Sequence, residues 1–155
     1  MPYYTKVLRP TEQVIFIGRL HWLIYSRGLL VFIVGLLVLM VGIVSPVDIA
    51  GHLALPILSI LIFAMATLIL VVSAIQRVTT EVVVTNLRVI YKTGWLSRTT
   101  AEMNTSKIET VDVIQSLAGR VLGFGTVLIR GTGSTFEPLQ RIAEPLELRN
   151  AILVG

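Results

Sequence analysis

Two uncharged apolar runs constrain this chain more than anything else in its 155 residues. Gly28 to Val44 (GLLVFIVGLLVLMVGIV) runs 17 residues without a charge, and Leu53 to Ile75 (LALPILSILIFAMATLILVVSAI) runs 23. A bilayer-spanning helix needs roughly 20 such residues, within a range of about 17 to 25. The second run meets that length outright. The first reaches it by extending back through Trp22, Leu23, Ile24 and Tyr25, with Arg27 snorkelling to the headgroups. A signal peptide does not fit, because the run starts late and a second run follows it instead of a small-residue cleavage site. Two transmembrane helices are therefore expected, over about 25–45 and 53–75, in a hairpin spanning 23–76.

The link Ser45–His52 (SPVDIAGH) is eight residues long, with Pro46 and Gly51 as helix breakers, so the spans should be antiparallel neighbours. Lys6, Arg9, Arg19 and Arg27 precede the first span and Arg77 follows the second, whereas the link holds no Lys or Arg. By the positive-inside rule both termini, including the segment 1–22, face the cytoplasm at the inner membrane. No ionisable residue lies inside either run, which argues against a transporter or pump. Gly28, Gly35 and Gly42 recur every seven residues on one run, and Ser59, Ala66 and Ser73 do so on the other. Small residues on one face let helix backbones approach in lipid, within the hairpin or toward another subunit.

At Arg77 the composition changes, marking a second domain over 77–155. Hydrophobic residues make up 54% of the chain and charged residues 14%, far from the profile of a disordered protein. The net charge of +4 is spread over both halves without a basic stripe, so nucleic acid is not an expected partner. Short strands and turn signals fill the second half. Strands are predicted over 81–85, 87–92, 96–103, 107–115, 125–130 and 135–142, with turns at Thr93-Gly94-Trp95, Asn104–Ser106 and Gly131-Thr132-Gly133. Ser116 is placed to cap one helical turn through Leu122. Pro145 opens a terminal helix offering Leu146, Ile152 and Leu153 for packing. The expected fold is α+β, a helical hairpin followed by a small β-barrel plugged by its last helix.

Chemistry finds no foothold in this pattern. There is no cysteine, and neither histidine lies after Arg77, so no Ser-His-Asp, Cys-His or histidine–metal arrangement can form in the second domain. Glu109 and Asp112, three apart on a strand, point to opposite faces. Gly123-Phe124-Gly125 opens a strand and Gly131-Thr132-Gly133 lacks a lysine, so neither is a nucleotide loop. No catalytic, metal or cofactor residue is expected, and the protein should not be an enzyme. Binding remains. Lys92 and Arg98 flank the turn that holds Trp95, and together with Arg120 they are candidate contacts to membrane lipid, although two basic residues at a turn fall short of a polybasic site. The rival is protein binding through an exposed sheet edge or self-assembly.

Several segments together resemble the bacterial pleckstrin-homology-like domain of small two-span membrane proteins. They are Arg88–Tyr91 (RVIY), Lys107–Glu109 (KIE), Gln115-Ser116, Gly119-Arg120, Gly123-x-Gly125-x-Val127, Gly131–Gly133 and Pro145-x-x-Leu148-Arg149. Leu8, Pro10 and Glu12, followed by Arg19 and His21-Trp22, resemble that family's lead into paired spans. The resemblance implies about seven strands in two orthogonal sheets capped by a C-terminal helix, and no agreed catalytic residues. The function it suggests is a non-enzymatic membrane-anchored scaffold or accessory subunit, a homo-oligomer or the partner of a membrane protein, with anionic headgroup binding as the alternative.

Overall fold

The computed structural model describes residues 8–44, 49–94, 99–135 and 138–154, with backbone alone at 49–53 and 134–135. The chain divides into two compact units, one of residues up to His21 together with those from Gln76 onward, the other of Trp22–Ile75.

Among the described residues of the first unit, eight strands form two sheets of four. β1 (Val14–Gly18), β2 (Glu81–Thr85), β3 (Arg88–Thr93) and β4 (Thr99–Asn104) make one antiparallel sheet in that order. In the second, β6 (Phe124–Gly131) is central. It pairs on one side with β5 (Ile108–Ile114), and on the other with β7 (Ser134–Thr135) and then β8 (Leu139–Ala143). Val82 and Val84 of β2 point inward with Val89, Met103, Val111, Val127 and Ile129 to form the core. The alternation follows from the two-residue period of a strand. Val83 and Ile90 pair directly on the other face of the first sheet and are buried there as well.

The expected barrel does not form. The sheets meet through one isolated bridge, Leu20 to Ile142, with backbone bonds from His21 N–H to Arg141 O (2.7 Å) and Ala143 N–H to Arg19 O (3.0 Å). β4 and β5 are joined by the 3-10 turn Thr105–Lys107, and no ladder pairs them. Closure requires a continuous ladder around the ring, and these edges stay open. The described residues also hold eight strands where about seven were expected. The stretch read as one last strand is two, and β1 comes from a segment read as a simple lead. The terminal helix differs too. Its core residues are Leu148 and Ile152, four apart on one face, while Leu146 and Leu153 are exposed.

The second unit is a pair of helices, α1 (Ser26–Val44) and α2 (Ile49–Thr79), preceded by a 3-10 turn over Trp22–Tyr25. Trp22–Val44 and Ala54–Thr79 are long and apolar enough to cross a membrane. Most of their large side chains face outward, Leu30, Leu37, Ile60 and Leu68 among them. The first unit is completed by two further helices, α3 (Leu117–Leu122) and α4 (Pro145–Val154).

Candidate functional site

The register of the first unit defines its two ends. Gly18 pairs with Val82 and Glu81 with Lys92, so the last residues of β1, the first of β2 and the last of β3 lie together. This is the end from which the chain leaves for the helical pair, after His21, and to which it returns. Thr80 and Thr93 hydroxyls lie 3.3 Å apart there. Beyond β1, the chain crosses to the second sheet, where the His21 ring lies on Phe124 with centroids 5.3 Å apart. Lys92 is at this end. Trp95 and Arg98 lie outside the described residues.

Arg120 also belongs to this end, on α3, and the way that helix is held is unusual. Ser116 caps it by accepting the Gly119 N–H at 3.1 Å. The Gln115 side-chain amide donates to Phe124 O at 3.0 Å and reaches Gly119 O at 3.4 Å. Gly123 ends the helix with φ of 74°, a left-handed conformation that glycine adopts without penalty. The one buried residue of α3 is Gly119. A Cβ at that position would lie 2.6 Å from Phe124 O, so the backbone itself is docked onto β6. Every other side chain of α3 is turned outward: Leu117, Ala118, Arg120, Val121 and Leu122.

At the opposite end of the first sheet is a polar cluster that sequence reasoning did not assemble. Glu12 is buried and binds Arg88 in a fork, Nε to Oε1 and Nη2 to Oε2, both 2.9 Å. Thr85 donates its hydroxyl to Glu12 Oε1 (2.8 Å), and Arg9 N–H donates to Oε2 (3.1 Å). Arg88 Nη1 also reaches Glu102 at 2.7 Å. Burial alone would push the Glu12 carboxyl up, but the bonds from Arg88, Arg9 and Thr85 and the Arg88 charge outweigh it and hold it at about 2. Arg88 is raised in turn, chiefly by its bond to Glu12. Both residues stood in the quoted motifs, yet nothing local to either motif links them. The cluster ties the N-terminal lead to the β2–β3 turn.

The small residues of the helical pair are its buried ones. Gly28, Gly35 and Gly42 are the buried positions of α1, and Ser59, Ala66 and Ser73 are buried on α2. The glycines face α2 in antiparallel order, Gly28 against Leu70, Gly35 against Phe63 and Gly42 against Leu55. Phe32 and Phe63 pack with ring centroids 5.1 Å apart. Ser59 returns its hydroxyl to Pro56 O at 2.7 Å, satisfying it without water.

Among the described residues no three His, Cys, Asp or Glu side chains are grouped so as to hold a metal ion. No curated protein and no solved structure matches the chain. A family model described as "Bacterial PH domain" matches residues 14–153, from β1 through both long helices to the end of α4. The match takes in both sheets, the helical pair and the docked turn of α3, so the chain belongs to the bacterial PH domain family, a non-catalytic interaction fold.

Proposed function

We propose that this protein is a membrane-anchored interaction module. It holds its two-sheet domain at the cytoplasmic face of the inner membrane and acts as a scaffold or accessory subunit through protein binding or self-assembly. The observation that carries this reading is the inverted packing of the helical pair. Its small residues are inside and its large apolar ones outside, the arrangement that suits helices whose surroundings are as apolar as leucine. A second feature supports the anchoring. The chain leaves the first unit after His21 and rejoins it at Gln76, so the segment between must cross any membrane an even number of times. The basic flanks then set both ends on the cytoplasmic side.

Single cysteines report the orientation cleanly, because the chain has none of its own. Ala50→Cys is expected to react with an impermeant thiol reagent in intact cells and Thr132→Cys only after permeabilisation. The reverse pattern overturns the orientation. Mild extraction followed by mass measurement tests the role: a defined multimer or a bound membrane protein is expected, and a partner-free monomer overturns the scaffold reading.

A further inference from the structure

We infer that α3 is a second membrane contact, a turn of helix that inserts its outer apolar side chains into the interfacial layer of the bilayer. This rests on the membrane anchoring proposed above and adds a contact from the folded domain itself. An ordinary surface helix buries its apolar stripe and shows water its polar face. In α3 the order is reversed. Leu117 is 82% exposed and Val121, on the same face one turn later, is 86% exposed, and Leu122 and Ile114, at either end of the segment, are exposed as well. Single exposed apolar residues are common and mean little. Here Leu117 and Val121 share one face, while Gly119, Ser116 and Gln115 hold the backbone against Phe124. The polar bonds and the glycine fix the helix, so its large side chains are left to face outward.

The occupant follows from position and shape. Gly123 and Phe124 immediately follow α3, and Phe124 carries the His21 ring. His21 is the residue before Trp22, where the apolar segment begins, and consecutive Cα atoms are about 3.8 Å apart. The patch is therefore tethered next to the point where the chain leaves for the membrane. Side chains exposed by more than four fifths stand proud of the surface, a shape suited to a fluid layer that closes around them. The one charge on α3, Arg120, can lay its stem along that layer and keep its head in water. A single cation on α3 falls short of the roughly four to eight that mark recognition of anionic lipid, so the contact does not depend on anionic headgroups.

The test uses the full chain in liposomes of zwitterionic phosphatidylcholine, with an environment-sensitive fluorophore on single cysteines and spin-labelled lipids as quenchers. Leu37→Cys on the outer face of α1 reports anchoring, Leu117→Cys and Val121→Cys report α3, and Thr132→Cys marks the far end of β6. Shallow quenchers are expected to dim the labels at 117 and 121 several-fold more than the label at 132, because interfacial helices sit about 5–10 Å into the headgroup boundary. Deep quenchers should act on the label at 37. If 37 is quenched while 117 and 121 behave like 132, the inference fails and the anchoring stands. Loss of quenching at 37 fails the anchoring itself. Labels at 117 and 121 that are shielded from aqueous iodide but not dimmed by lipid also overturn the inference, in favour of a protein partner.

Discussion

Glu12 and Arg88 stand 76 positions apart, and their fork is a buried ion pair of the first unit. Removing one member of a buried ion pair leaves the other charge desolvated, at a cost of about 3–5 kcal/mol. Glu12→Gln and Arg88→Met are each expected to lower stability on that scale, with the double variant losing less than the sum because the two share one interaction. Denaturant titration of the purified chain checks this. The pH dependence has a definite sign. The unfolded carboxyl takes up its proton near 4.5 and the folded one near 2. The stabilisation from Glu12 is therefore complete above about pH 4.5 and is lost as pH falls from there toward 2. Glu12→Gln should remove that slope from the stability profile. If the wild type and the variant share one acid profile, the pair does not carry the effect. Neither motif could disclose this fork beforehand, since local pattern holds no information about which distant charge a buried carboxylate will meet.

Among the elements, α3 and the helical pair share a device, glycine used where another backbone or a large side chain must come close. Gly119→Ala would set a Cβ 2.6 Å from a backbone oxygen that cannot give way, and overpacking of this kind typically costs about 1–3 kcal/mol. Leu117→Ser, on the exposed face of the same helix, should stay within about 0.5 kcal/mol. A melt in which the serine variant falls further than the alanine variant contradicts the docking described for α3. In the helical pair, a side chain added at Gly35 begins 2.9 Å from the Phe63 ring, and one at Gly42 begins 2.9 Å from Leu55 Cβ. Gly35→Leu and Gly42→Leu are expected to lower the melting temperature or shift assembly, while Leu37→Ile, on the outer face, does neither. Wild-type melting and size-exclusion profiles for both glycine variants would refute this. The elements themselves were largely legible: uncharged length marked the long helices, although the second runs from Ile49 through Gly51, read as a breaker in the link; β-branched content marked β2, alternation β3 and β5, and turn signals β4 and β6. β1 was not, because VIFIG is apolar at four positions of five and lies just ahead of a longer apolar run. The absence of a barrel was not legible either, since edge pairing depends on where whole strands come to rest. The choice of Leu148 over Leu146 in α4 turned on one helix phase, which a ten-residue segment defines poorly.

On the scale of the whole molecule, the two-sheet unit is discontinuous in the chain. The fragment 77–155 lacks β1, the partner of Arg88 and the ring that covers Phe124. It is expected to show no cooperative melting transition and little near-ultraviolet circular dichroism. Joining 8–21 to 77–155 through a short Gly-Ser linker should restore both, because Gly18 and Val82 are already paired neighbours. A fragment 77–155 that melts as sharply as the joined chain would show that β1 is dispensable. The same discontinuity reaches into synthesis. Sixty-two residues separate the end of β1 from the start of β2. At ribosomal speeds of about 5–20 residues per second, β1 waits roughly 3 to 12 s for its neighbour. With the helical pair in a membrane as proposed, that wait is when the first hydrophobic helix is threaded and the second brought back. A nascent chain whose second helix fails to return strands β1 and β2 on opposite sides of the bilayer, where no sheet can form. On the proposed topology, completion of the fold doubles as a proofreading step on insertion, and a mis-threaded copy is left with an unpaired strand.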